Sequence, residues 1–345
     1  MKDISRFFTI YWIIYFPTCI AYNDLPGFSS IDEVMTGILL VYTFMKYNNR
    51  SINRRPWKEF TVCIGLIAFY IVYSLLFGAN VAGGVWLDLM QEIRPYAIIY
   101  CTWILNPRFT KGQKKWMLGT MVITLFSWIF YHPQTLDTQV EAEFPVLGQL
   151  AICTGMSWYL FTKETKRNRN IALLLVLTGM LAPKFKFMGE VVCFIAFVFF
   201  IKQRLNSPLY YKYNLNGIWG LDESGGFICD AYYPTLAQFG IVGVFFFCWF
   251  WKRRLAAFDI IADMRYYRVA MITFCCLAIE QTADSSWLSG KGMGYCMLIA
   301  LCLNVNRNMM EQRRREEMRK KMLEKRRMAE NSETEELKLA ENIKS

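Results

Sequence analysis

Between Ile171 and Ile201 the chain is apolar for 31 residues, except where Pro183-Lys184-Phe185-Lys186-Phe187-Met188-Gly189-Glu190 interrupts it. A charge at the centre of a membrane helix costs about 2.5–3.5 kcal/mol on insertion scales. One ordinary span needs about 20 apolar residues. The run is too long for a single span and is charged at its middle. It therefore reads as two spans meeting at a tight turn, with Lys184 and Lys186 at a membrane surface.

The same pattern of apolar blocks recurs along the chain, at about 7–22, 31–47, 60–79, 93–106, 116–131, 144–162, 168–185, 187–203, 232–251, 268–283 and 290–306. Hydrophobic residues make up 54% of the sequence, more than one soluble domain would spread over so many separate blocks. The expected fold is an all-α polytopic integral membrane protein with about eleven apolar segments, some short enough to be re-entrant. Met1–Arg6 leads into a first segment without a small-residue cleavage pattern, so that segment reads as the first span.

A net charge of +11 would point to nucleic acid in a soluble chain. Here its placement points elsewhere. Lys46–Lys58 holds Lys46, Arg50, Arg54, Arg55 and Lys58 with no acid, and Pro107–Lys115 holds Arg108, Lys111, Lys114 and Lys115. Lys163–Asn170 and Lys252–Arg268 are also basic, whereas Asn23–Ser30 and His132–Glu143 carry acids and no Lys or Arg. Basic loops stay in the cytoplasm, which puts both termini inside and the acidic loops outside. Counting forward from Met1, the chain is inside at Arg204. Counting back from a cytoplasmic tail, it is outside at Ala231. Leu205–Asp230 has no apolar stretch able to cross, so the crossings do not balance.

Ten of the 11 cysteines lie in or beside apolar segments, which argues against a disulfide framework or a zinc site. His132 is the sole histidine, so a multi-histidine metal cluster is excluded. The chain reads as a transmembrane domain over 1–306, with an external connection at 205–230, and a charged cytoplasmic helical tail over 307–345. Glu316/Lys320 and Glu317/Lys321 in that tail have the spacing of helical ion pairs.

Ionisable groups gather at external span ends: Arg94 at the entry to the fourth segment, Lys184 and Lys186 at the turn, Asp230, Asp284 and Lys291. A lysine near a helix end usually snorkels to headgroups. Several cations on the side where the loop bias disfavours them point to an anionic ligand. Arg94, Lys184, Lys186 and Lys291 would hold a pyrophosphate. Asp230 or Asp284, with Glu190 third, would accept a proton from an attacking hydroxyl. Each carboxylate is equally well read as a helix cap or a structural ion-pair partner. Gly290-Lys291-Gly292-Met293-Gly294 and Gly240-Ile241-Val242-Gly243 read as helix-packing surfaces rather than phosphate loops.

Lys184-Phe185-Lys186-Phe187-Met188-Gly189 resembles the basic turn of bacterial O-antigen polymerases and ligases. Asp230-Ala231-Tyr232-Tyr233-Pro234, leading to Gly240-Ile241-Val242-Gly243, is similar to the span after the large periplasmic loop in that family. The resemblance implies an inner-membrane glycosyltransferase of about twelve spans. It would take glycan from undecaprenyl pyrophosphate on the periplasmic face with basic residues and no metal or other cofactor. Membrane lipid, a chain-length regulator and a flippase would be its partners, and nucleic acid would not. Lys184 and Lys186 match the basic turn, Arg94 a basic span entry and Asp230 a polar position before the glycine-rich span. No histidine falls in 205–230, where ligases carry one, which favours a polymerase. The family's extra span between 202 and 230 would resolve the unbalanced crossings, making this chain an internally shortened member. A non-enzymatic polysaccharide or lipid transporter and an inactive shortened relative are the alternatives.

Overall fold

The computed structural model describes residues 2–24, 31–47, 54–76, 82–131, 144–181, 185–202, 204, 232–283, 292–305 and parts of 308–324. The described residues are all-helical, with no strand. The chain divides into two compact units, Met1–Leu303 and Asn304–Ser345. In the second, short helical pieces carry a Gln312-to-Glu316 side-chain hydrogen bond of 3.1 Å.

The first unit is a helical bundle: α1 Lys2–Asp24, α2 Ile31–Tyr47, α3 Arg54–Leu76, α4 Ala82–Leu105, α5 Lys111–Tyr131 and α6 Phe144–Phe161. They are followed by α7 Lys166–Leu177, α8 Phe185–Ile195, α9 Tyr232–Asp259, α10 Met264–Ala283 and α11, which starts at Met293. A 3-10 turn extends α7 to Leu181 and a π-turn extends α8 to Phe200. The helices follow the apolar segments closely, and the run from Ile171 to Ile201 does break in two. Local signals set several ends. Asn106, at φ 49°, closes α4 in a left-handed conformation that suits asparagine, and Pro107 follows it. Thr110 and Gln113 then form a reciprocal capping box for α5, with bonds of 2.8 and 3.3 Å. Thr165 caps α7 by accepting from the Asn168 N–H.

Two expected boundaries change. The fourth apolar segment was expected to start at residue 93, but α4 begins at Ala82, about three turns earlier. Lys252-Arg253-Arg254 was expected in a loop, but α9 continues through it to Asp259. In addition, α7 and α8 with their extensions each run 16 residues, about 24 Å. That falls short of a hydrocarbon core of about 30 Å. Among the described residues only Pro56–Tyr73 is both long and apolar enough to cross a membrane alone; Ile93–Leu105 and Met293–Val305 are shorter apolar helices.

Helix α6 packs on α5, α7, α8 and α10, while α4 lies against α2 and α3. Small residues allow the closest approaches. A Cβ on Gly155 would overlap Val176 Cγ2 and come within 2.8 Å of the Ala172 carbonyl oxygen, and one on Gly148 would overlap the Phe187 ring. With Ala151 these residues make a small-residue stripe on α6. Gly155→Val is therefore expected to lower the thermal midpoint in detergent, by about 1–3 kcal/mol or more of stability. Gly37→Val on α2, where a Cβ meets nothing within 4 Å, should change it little.

Apolar side chains cover exposed helix faces as well as the core. Val34, Ile38, Val41 and Met45 form an exposed stripe on α2, and Val62, Phe69, Val72 and Leu76 another on α3. Trp116, Ile123 and Phe130 do the same on α5. Meanwhile Thr36, Thr154, Ser157, Thr273, Glu190 and Glu280 are fully buried. Several buried threonines bond the carbonyl four residues back: Thr36 to Asp32, Thr154 to Leu150 and Thr273 to Val269. Water-facing helices carry polar residues on the exposed face where these stripes lie.

Basic connections collect at one end of the bundle. Ser5 Oγ donates to the Arg108 carbonyl at 2.7 Å, Arg265 Nη1 to the Thr162 carbonyl at 3.1 Å and Arg268 Nη2 to the Ile201 carbonyl at 3.3 Å. Arg204 donates to the carbonyls of Asp259 and Ile261. Burial and the neighbouring Arg265 guanidinium hold the Lys114 ammonium below the usual lysine value at this rim. Arg204 joins the end of α8 to the end of α9, so these two helices run parallel. The chain leaves α8 at the basic end and enters α9 at the opposite end, about 42 Å away. The end of α8 and the start of α9 therefore lie at opposite ends of the bundle. Residues 205–231, expected as an external connection, lie outside the described residues.

Candidate functional site

At the end opposite the basic connections, α8, α10 and α11 bring ionisable side chains together. Lys186 is in the first turn of α8, Glu190 one turn further along, Glu280 near the end of α10 and Tyr295 in the first turn of α11. The Lys186 ammonium meets Glu280 Oε2 at 2.6 Å, and the side chains are 6% and 0% exposed. Tyr295 donates its hydroxyl hydrogen to Glu190 Oε2 at 3.1 Å. Glu190 is itself fully buried. Gly189 faces α10 there, where an added Cβ would lie 3.3 Å from Ile279 Cδ1. Gly294, in the glycine-rich start of α11, gives its N–H to the Tyr15 hydroxyl at 3.1 Å, in keeping with the packing role expected for that segment.

A second charged group lies between α2 and α4. Arg94 Nη1 meets Asp32 Oδ2 at 2.8 Å and Arg94 Nη2 meets Glu33 Oε1 at 2.6 Å. Asp32 and Glu33 open α2, where carboxylates also suit the helix dipole. Arg94 therefore sits level with the start of α2, but inside α4 rather than at its entry. Toward the basic end, Glu59 on α3 accepts from Arg253 Nη2 at 2.7 Å and pairs with Arg254 on α9. Arg254 is 1% exposed, with its guanidinium carbon over the rings of Tyr100, Trp103 and Phe250 at 5.1, 4.7 and 5.4 Å.

Of the expected site residues, Arg94, Lys186 and Glu190 are within the described set; carboxylates of the chain itself engage the two cations, and Glu190 accepts from the Tyr295 hydroxyl. Arg94 is held by α2 and Lys186 by α10. Lys184, Asp230, Asp284 and Lys291 lie outside the described residues. Sequence reasoning did not single out Glu280, Tyr295, Asp32 or Glu59. An acid within an apolar block is the signal that could have found Glu280. Its partner is 94 residues away and no local pattern connects them. No group of three or more metal-ligating side chains occurs among the described residues. Comparison with known proteins gives no match to a protein family, a curated protein or a solved structure.

Proposed function

We propose that the chain is a multi-pass protein of the bacterial inner membrane that transfers glycan from a polyprenyl-pyrophosphate donor to a sugar hydroxyl on the outer face, polymerising surface polysaccharide in preference to ligating it. The observation that carries this reading is the cluster of Lys186, Glu280, Glu190 and Tyr295 at the end opposite the basic rim. A surface of exposed valine, isoleucine and phenylalanine supports the membrane setting. Charge bias then puts the basic rim in the cytoplasm and the cluster on the outer side.

In this reading Lys184 and Lys291, next in sequence to the starts of α8 and α11, supply cations to the pyrophosphate, and Lys186 and Arg94 support them. Arg94 and Lys186 already balance internal carboxylates, so their contribution is to hold helices and field in place rather than to act as free anion hooks. Asp284, just past α10, or Asp230, just before α9, accepts the proton of the acceptor hydroxyl. The cations stabilise the charge that develops on the departing pyrophosphate.

A second reading, a glycan or lipid transporter, is favoured by the charges enclosed within the bundle, which transport pathways use. Deleting the gene and resolving surface glycan on a gel separates the two. Loss of a polymerase leaves single repeat units, loss of a ligase leaves glycan off its lipid acceptor, and loss of a transporter traps precursor inside. The expected result is single repeat units, restored by the wild-type chain and not by Asp284→Ala or Lys184→Ala expressed at equal level. Unchanged glycan on deletion would mark the chain as an inactive relative shortened between α8 and α9.

A further inference from the structure

Helices α8 and α10 run antiparallel, and three contacts fix their register. The Lys186 ammonium meets Glu280 Oε2 at 2.6 Å, Gly189 faces Ile279, and Arg268 Nη2 donates to the Ile201 carbonyl at 3.3 Å just past the α8 extension. Each step along α8 is thus matched by a step back along α10. Residues four apart share one face of a helix. Cys193 is four residues on from Gly189, and Cys275 is four residues back from Ile279. The two cysteines therefore fall opposite each other, between the outer contacts and the basic one. Their thiols interact.

Both are free and half-buried, whereas Cys153, Cys276 and Cys296 are buried outright. An isolated thiol in such a place is a small apolar filler. Two thiols on facing turns are also the two halves of a disulfide, which needs Cα atoms about 4.4–6.8 Å apart. The interface is tight at the neighbouring turn, where a Cβ on Gly189 would lie 3.3 Å from Ile279 Cδ1. Val192, beside Cys193, is 63% exposed, so a reagent dissolved in apolar surroundings reaches this edge of the interface.

We propose that Cys193 and Cys275 form a reversible dithiol–disulfide site that staples α8 to α10, inward of the Lys186–Glu280 pair. The oxidant is a small membrane-soluble disulfide. One cysteine gives up its proton and its thiolate attacks a sulfur of the oxidant, forming a mixed disulfide and releasing half of the oxidant as a thiol. The thiolate of the second cysteine then attacks the cysteine sulfur of the mixed disulfide and releases the other half as a second thiol. The chain loses two electrons and two protons, and the oxidant gains them. The site does not depend on the glycan reading.

Treating the purified full chain in detergent with the hydrophobic disulfide dithiodipyridine tests it. After remaining thiols are blocked with N-ethylmaleimide, mass mapping without reduction should find the Cys193 and Cys275 peptides joined to each other, with no thiopyridyl group on either. Dithiothreitol should return both to free thiols. In Cys193→Ser, Cys275 should instead end as a thiopyridyl mixed disulfide, because no facing thiol remains to displace that group. Wild-type protein in which the two cysteines end as separate mixed disulfides, as maleimide adducts, or joined to other cysteines overturns the proposal.

Discussion

Replacing Lys186 with methionine is expected to lower stability by about 3–5 kcal/mol. The ammonium meets Glu280 Oε2 at 2.6 Å, and Glu280 and Glu190 are both fully buried. Removing one partner of a buried pair costs more than the pair was worth, because it strands the other charge. Removing both is milder, so Lys186→Met with Glu280→Leu should recover most of the loss. The thermal midpoint in detergent measures both. A single variant as stable as the wild type at neutral pH would mean that Lys186 is not holding α8 to α10.

Glu59→Ala is expected to have a similar cost, about 3–5 kcal/mol, at the other end of the bundle. It leaves the Arg254 guanidinium 1% exposed among Tyr100, Trp103 and Phe250, with its carboxylate gone. Ring faces attract a cation by about 0.5–2 kcal/mol, too little to replace an anion. Arg253→Ala is the contrasting case. Its side chain is 38% exposed and reaches the same Glu59, so its loss should cost no more than about 1 kcal/mol. The order of the two effects checks the assignment, since a loose surface network would give equal, small values.

The helices were legible because each is announced by an apolar block bounded by charge, proline or glycine, as at Asn106-Pro107 and Thr165. Helix direction was legible too. Loop charge alone implied that 204 and 231 lie at opposite ends, and the parallel course of α8 and α9 agrees. The start of α4 was hidden because Gly83, Gly84, Asp88, Gln91 and Glu92 read as a polar loop. Glycine disfavours a helix by only about 1 kcal/mol, which tertiary packing overrides. The charged pairs were hidden for a different reason. Arg94–Glu33, Lys186–Glu280 and Arg254–Glu59 join residues 61, 94 and 195 positions apart. A cation at an external helix end looks available for a ligand until the carboxylate from another helix is placed beside it.

The central proposal is a helical bundle that crosses the membrane with its basic rim in the cytoplasm and the Lys186–Glu280–Glu190 cluster on the outer side. Single-cysteine labelling tests it most directly, in a chain stripped of its 11 native cysteines. Cysteines placed at Arg169, Lys202 and Ile260 should react with a membrane-impermeant maleimide only after the cells are opened. Cysteines at Gly27, Pro133 and Ser286 should react in intact cells. Labelling of Lys202 in intact cells while Ile260 stays protected, or equal labelling of both sets, would contradict the account.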